Sequence, residues 1–510
     1  MHFSNTETVN VTPTEPIETG EYEFSSRWQL VAPLVKATVP GVSSAAVDLN
    51  LTRYAPAFTG KRTFPLVNAG RGSAAELEAV DVKGAAVLVK GPNEPAGENG
   101  PSERELTETA AAAGASVIIL LRPEGFSTWT SWTPNGERES IPSVVTSATE
   151  GQKLIDRAAR SKATIDLTMT PSSPYLYDVQ QVSTGYVPSE IEYEVTKDNS
   201  ARVTTGYSDT GSNSPWVKEQ RYSWRPWQDT SWNDTSRFVE TGTEREEWVS
   251  AGDSIWQQQV RPDWPWIDGG RVYGGMGELP RSYQPGKSET TWFSPVIRPA
   301  SPTGVPELVS TRTGDTLNLR IPEFVDAAGH YTIGESTATG VELRRNGTVI
   351  AEPTEARQDV QTTPEAADYQ LKLTTEREGE DWIWGTRTES IWDFRSAAAP
   401  SSTVVTPLPL LQVDYEAPVD LTGKATNEKH RVALNLRRQD GLAAPQGTAV
   451  TVDVSLDEGR TWSAAKVTGS GIRFKAAVPA GEGTVSLRVE AVDETGSAIT
   501  QTVIRAYGRS

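Results

Sequence analysis

The triplet Asp209-Thr210-Gly211 in "GYSDTGSNSPW" (206–216) has the residue types of carboxyl-dependent peptide hydrolysis, in which an aspartate beside a glycine-bearing turn activates water. That chemistry needs two carboxylates sharing one proton, because two adjacent like charges do not both ionise. D-T-G occurs once in the 510 residues, and it follows Tyr207 and Ser208 in a polar stretch rather than an apolar strand that would bury it. Asp and Gly in this order also suit a tight turn: Asp bonds to its own backbone two residues on, and Gly accepts a positive φ. The triplet therefore reads as a turn between strands.

Nucleophilic and metal chemistry have few residues to draw on. There is no cysteine, and the three histidines are His2, His330 in "AGHYT" and His430 in "EKHRV". A thiol nucleophile and Cys-ligated zinc drop out, and a His-rich metal site would need nearly every histidine present. The acidic clusters "EREEW" (244–248), "EREGEDW" (376–382) and "DEGRTW" (457–462) lack the spacing of a twelve-residue calcium loop and read as solvated turns. Neither metal nor cofactor is expected.

Aromatic residues are the unusual resource. Trp224, Trp227, Trp232, Trp248, Trp256, Trp264 and Trp266 are interleaved with Arg225, Arg245 and Arg261, so Arg stacked on Trp is one expectation. Such a stretch reads either as the packing between two sheets or as a platform for sugar rings or an extended peptide.

Most of these residues must be held by strands. Between 173 and the C-terminus short alternating segments such as "IEYEVTK", "TLNLRI", "YQLKLTTER" and "TVSLRVEAVDETG" recur between turn signals, the mark of β-sandwiches. The texture differs from 62 to 172. There "VDVKGAAVLVKGP" (80–92) holds a short apolar strand, "PSERELTETAAAAGA" (101–115) a helix with Ser102 as N-cap and Glu105 three residues on, and "SVIILL" (116–121) a second apolar strand. "IPSVVTSATEGQKLIDRAARS" (141–161) adds another strand and helix, so βαβ units with a parallel pair are expected.

The segment 62–172 resembles the protease-associated (PA) domain. The likeness is carried by "DVKGAAVLVKGP", by the helix ending "AAAAGASVIILL" and by "IPSVVTSATEGQKLI"; Ala85 stands where that family often has Lys. The resemblance implies a small open sheet with helices, found in subtilases, aminopeptidases and sorting receptors. Such a unit lacks catalytic residues and restricts substrate access or binds protein partners. The rest of the chain is similar to the region that accompanies a PA domain in large secreted bacterial subtilisin-like serine peptidases, through strings such as "EQRYSWRPWQDTSW" and "TRTGDTLNLRIPEFVDAAGHYT". The last 95 residues resemble an immunoglobulin or fibronectin-type module. The Asp, H-G-T-like His and G-T-S-like Ser of a subtilase are missing.

The expected architecture is thus mainly β and multidomain. It has a flexible lead-in (1–20), strands packing with the following sandwich (21–61), the PA domain (62–172), a Trp-rich sandwich (173–300), a second sandwich (301–400), a linker (401–415) and an immunoglobulin-like sandwich (416–510). Within the PA segment, "RPEGFSTWTSWTPNGERES" (122–140) places Phe126, Trp129 and Trp132 in a Gly/Pro/Ser-rich loop. Three aromatics on one loop of so small a unit point to a contact surface or to packing on the neighbouring sandwich.

Composition bounds the partners. A net charge of −19 makes nucleic acid and anionic membranes poor partners, and no apolar run approaches the length of a membrane span. The N-terminus lacks a basic start followed by an apolar segment, so no signal peptide is read in this chain. The expectation is an extracellular accessory region that is not itself an enzyme, with a protein or peptide substrate and an upstream peptidase domain as partners. The alternative is an independent carbohydrate- or protein-binding module that uses its tryptophans.

Overall fold

The computed structural model describes residues 6–509 apart from 14–21, 32–33, 41–46, 53–54, 94–99, 129–137, 161, 190–191, 212–215, 229–236, 263–274, 333–337, 378–381, 402 and 426–428. The fold is mainly β and multidomain, built from several sheets.

The apolar runs "AVLVK" and "VIILL" become neighbouring strands, Ala86–Lys90 and Val117–Leu121, whose residues are buried on both faces except Lys90. Such strands need cover on each side, and parallel pairing with helical crossovers supplies it. Leu66 lies opposite Ala86, Val87 opposite Ile118 and Ile119 opposite Val144, all in parallel register. Three helices cover the sheet: Ala74–Glu78, Glu103–Ala112 and Ala148–Ala158. Ser73 and Ser102 close capping boxes with Glu76 and Glu105, as the Ser-x-x-Glu spacing at 102–105 predicts. Leu77, Leu106 and Ala110 pack on one face of the sheet and Leu154 on the other.

This α/β sheet begins earlier than position 62. Val35–Thr38 and Asn50–Leu51 are its two outer strands, next to Thr164–Met169 and Ser143–Thr146. The strand before them, Tyr22–Val31, pairs instead with Tyr175–Thr184, with Val31 opposite Leu176. The α/β unit is therefore an insertion between two adjacent antiparallel strands of a sandwich, and the stretch 21–61 divides between the two bodies.

One sandwich sheet runs in the order Thr6–Pro13, Tyr22–Val31, Tyr175–Thr184, Thr243–Ser250, Ser200–Tyr207, Gly286–Trp292. The second runs Arg237–Glu240, Trp216–Trp224, Ile255–Pro262, Met276–Gly277, Tyr331–Thr332. The boundaries read near 300, 400 and 415 are crossed by strand pairing. Tyr331 lies opposite Gly277, Thr313 opposite Val405, and Arg387–Ser396 pairs with Ala498–Arg509 in a nine-stranded sheet. The Pro/Ser-rich stretch around 400 reads as a linker by composition, but Leu408, Leu410 and Leu411 are fully buried beyond it, and Trp392 Nε1 donates to the Leu411 carbonyl at 3.0 Å. One large core joins Leu317, Leu371, Trp392, Leu434 and Val503.

Candidate functional site

The loop 122–140 leaves the α/β sheet at Leu121, and what holds its base can be followed residue by residue. Arg122 closes a bidentate pair with Glu103, Nε to Oε1 at 2.9 Å and Nη2 to Oε2 at 3.0 Å, with both side chains fully buried. Its Nη1 also donates to the Ser127 carbonyl at 2.5 Å. Asn50 on the sheet's outer strand donates to Thr128 Oγ1 at 3.3 Å. Phe126 sits on this fastened segment and is 44% exposed. Trp129 and Trp132, the other two residues expected there, lie outside the described residues.

The returning limb is held as firmly. Ser140 donates its N–H and Oγ to Glu108 at 3.0 and 2.5 Å. Arg138 pairs with Glu240 of the sandwich and lies over the Trp216 ring, 4.9 Å from its centroid, so the loop touches the neighbouring body. Glu139 is 3% exposed and accepts one bond, from Thr52 Oγ1 at 3.3 Å. Its Oε1 has no partner among the described residues. Burial pushes this carboxyl up to about 8.

In the Trp-rich stretch the structure has packing between sheets and an arginine on a tryptophan, as one of the two readings expects. Trp256 is fully buried between the sheets with Arg27 4.8 Å over its ring, while Trp224, Trp227 and Trp248 are half-buried. Trp232, Trp264 and Trp266 lie outside the described residues. Two of the interleaved arginines, Arg225 and Arg245, are buried and pair with carboxylates. Arg225 binds Glu23 and Asp253, and Arg245 binds Glu219 at 2.5 Å and Glu247 at 2.8 Å. Arg221 pairs with Asp178 at 2.6 Å and with Glu247, and Arg237 with Asp178 and Glu219 at 2.7 and 2.6 Å. Tyr207 donates to Glu247 at 2.8 Å, and Gln258 donates to Tyr207 and Glu219 at 3.2 and 3.0 Å. "EREEW" was expected to be a solvated turn, yet Arg245 and Glu247 lie inside the sandwich because their side chains alternate with Glu244 and Glu246 on a strand. Burial pushes the Asp178 carboxyl up, but Arg237 and Arg221 outweigh it and hold the group at about 2. Glu219 and Glu247 are likewise lowered against their burial by the surrounding arginines.

Asp209 Oδ1 accepts the Gly211 N–H at 2.8 Å, so the D-T-G triplet is a turn. It joins the sandwich to the C-terminal sheets: Asp209 N–H donates to Leu421 at 2.7 Å, Trp384 Nε1 donates to the Asp209 carbonyl at 3.2 Å, and Ile383 N–H to Thr210 at 2.9 Å. Gly211 has φ +72°, and a Cβ there would stand 2.3 Å from Ile383. Gly211→Ala is expected to cost about 2–4 kcal/mol through overpacking and left-handed strain. Thermal unfolding measures this, and an unchanged melting temperature would contradict the junction role.

A hydroxyl–imidazole–carboxylate row forms where the sequence offers no sign of one. His330 Nδ1 lies 2.8 Å from Asp326 Oδ2, and His330 Nε2 lies 3.1 Å from Thr290 Oγ1. The imidazole is stacked on Trp292 with centroids 3.7 Å apart and is 4% exposed. Asp326 also accepts the backbone N–H groups of Phe293 and His330, both at 2.9 Å, which fixes its orientation. Asp326 and His330 are four residues apart in "DAAGH", but Thr290 comes from a distant strand. Among the described residues no three His, Asp or Glu side chains gather as a metal site would require, and no helix is long and apolar enough to cross a membrane.

No family model and no curated protein matches the chain. Solved structures do. The aminopeptidase from Aneurinibacillus sp. strain AM-1 aligns at 18% identity over 35% of this chain and 36% of its own, with a TM-score of 0.23. BSAP, a zinc aminopeptidase from Bacillus subtilis, aligns at 16% over 36% and 39%, with a TM-score of 0.21. A peptidase M28 precursor from Shewanella amazonensis SB2B aligns at 14% over 32% and 39%, with a TM-score of 0.20. This chain spans less than half the length of each, and at such TM-scores no reaction passes from them to it. The expectation that the chain is not an enzyme does not stand, since these neighbours are named as aminopeptidases and a peptidase, but they assign this chain no activity either. All three are named as peptidases, and none of the three is named as a subtilisin-like enzyme.

Proposed function

We propose that this chain is a peptidase-associated region that contacts protein or peptide substrates through the 122–140 loop of its α/β unit. The observation that carries the reading is Phe126, 44% exposed on a loop whose two ends are anchored by buried or bonded side chains, Arg122 with Glu103 and Glu139 with Thr52. A rigid base lowers the entropy lost on binding, and an exposed aromatic supplies contact area. The PA-like motifs support the same reading, and the finer proposal follows from them. The region serves a secreted, subtilisin-like peptidase, joined to a catalytic domain that it stabilises and to which it presents substrate. The test compares binding of an unfolded protein such as reduced casein by the wild-type chain and by Phe126→Ala and Trp129→Ala/Trp132→Ala variants. A loss of about tenfold or more is expected from each. Unchanged binding removes the loop from the account.

The Thr290–His330–Asp326 row favours a second reading, hydrolysis by this chain itself with Thr290 as nucleophile, His330 as base and Asp326 as its orienter. A fluorophosphonate reports on it, since an activated hydroxyl displaces fluoride and keeps the phosphonyl group. On this reading an adduct forms on Thr290 and is absent from His330→Gln. A chain that stays unlabelled removes the second reading and leaves the first untouched.

A further inference from the structure

We propose that the groove between the sandwich and the C-terminal sheet Leu411–Glu416, His430–Arg438, Arg473–Val478 and Val467–Ser470 binds a short peptide with both termini free. The groove has a volume of about 850 Å³, within the range of small-ligand sites. Its floor is one face of that sheet, where antiparallel register aligns two rows of side chains. Glu416 lies opposite Ala433 and Ala433 opposite Lys475; Asp414 lies opposite Asn435 and Asn435 opposite Arg473. Directly opposed residues share a face, so each row runs from an acid through a small neutral residue to a base.

The charges in these rows are not equivalent. Asp414 is spent on Arg298 and Arg437, at 2.8 and 2.7 Å. Glu416, Arg473 and Lys475 are exposed, and none of them forms an ion pair among the described residues. The intervening strand keeps Glu416 and Lys475 about 10 Å apart at the backbone, two strand spacings, and they do not pair with each other among the described residues. One anion therefore faces two cations across a neutral floor, and the segments Ser294–Pro295 and Ala327–Ala328 form the wall that encloses them.

A zwitterion of matching length satisfies both sides. An extended chain advances about 3.3–3.6 Å per residue, so a dipeptide or tripeptide reaches from an ammonium at Glu416 to a carboxylate at Arg473 and Lys475. Asn435 on the floor offers a donor and an acceptor to the peptide main chain. A long chain has no terminus to place at one of the two sides. This inference is independent of the 122–140 loop, which lies on the α/β unit.

Saturation-transfer NMR on the full chain with Ala-Ala-Ala tests it, alongside the N-acetylated and C-amidated forms of the same peptide. Saturable binding is expected, weakened about tenfold or more by either blocking group, by Glu416→Gln and by Arg473→Gln/Lys475→Gln. Ala433→Phe, which fills the floor, is expected to abolish it, with circular dichroism showing that these surface variants stay folded. Equal binding of the blocked peptides, equal binding by the variants, or no saturable binding up to about 10 mM overturns the proposal. Loss with amidation alone overturns it as well, since that marks an anion site on Arg473 and Lys475 rather than a zwitterion site.

Discussion

Glu219→Ala is expected to destabilise the sandwich by about 3–5 kcal/mol, a large share of the stability of an ordinary domain. Glu219 accepts from Arg237, Arg245 and Gln258 in the fully buried space between the sheets. Truncating it leaves two guanidinium groups facing each other without their shared counter-charge, and neither can lose its proton in compensation. Glu219→Gln keeps the volume but not the charge and falls between the alanine variant and wild type. The same cluster sets the acid limit. Asp178 is held at about 2, and Glu219 and Glu247 are also lowered from their ordinary range. Their contribution is fully present above the unfolded carboxylate pKa near 4 and is lost as the pH falls from there through the folded values. Chemical denaturation at pH 7 and at pH 3 checks both statements. A Glu219→Ala variant as stable as wild type at pH 7, or a Glu139→Gln chain, from which the opposing titration of Glu139 is removed, equally stable at the two pH values, would contradict the cluster's role.

Glu139 gives the second large effect, with the opposite sign. Its carboxyl is pushed from 4.5 up to about 8 by burial, so between those values the folded chain holds a proton that the unfolded chain has released. Stability therefore falls as the pH rises through that window and levels off above the folded pKa, by up to about 5 kcal/mol. Facing Glu139 are Thr52, which donates to it, and Arg104, Glu103 and Glu108 of the helix Glu103–Ala112. Arg104 lowers the group while the two glutamates raise it, and burial outweighs them all. Glu139→Gln cannot ionise. It is expected to match wild type near pH 5 and to exceed it by a few kcal/mol near pH 9, where the returning limb of the 122–140 loop otherwise carries a buried charge. Thermal unfolding of the two chains across that range measures the divergence. Parallel curves would place the cause of any pH dependence elsewhere.

How much of this was legible depends on whether the governing contacts are local. The capping box Ser102–Glu105, the buried strand "VIILL" and the D-T-G turn are decided within a few residues, and the structure has them where the sequence suggests. The charge cluster is decided by strand partners far apart in the chain. Asp178, Glu219 and Glu247 sit on three strands in two sheets, and "EREEW" taken alone looks like solvated surface. Alternation on the strand was the available signal: Arg245 and Glu247 fall two residues apart, alternating with exposed Glu244 and half-buried Glu246. The insertion point of the α/β unit was hidden for the same reason, since Tyr22–Val31 meets its partner Tyr175–Thr184 across more than 130 intervening residues. His330 has no family motif around it in the sequence, and Thr290 reaches it only through the fold. The loop aromatics were legible as a group, but of the three only Phe126 falls among the described residues.

The contact role of the 122–140 loop is tested most directly by placing a photo-crosslinking amino acid at position 126 in the full chain and irradiating it with reduced casein. A parallel chain carries the same group at position 349, another exposed apolar position, as the control. Crosslinks concentrated at 126 and competed away by unlabelled casein are the result expected of a substrate-contacting loop. Equal crosslinking at 126 and 349, or none at 126, would contradict it.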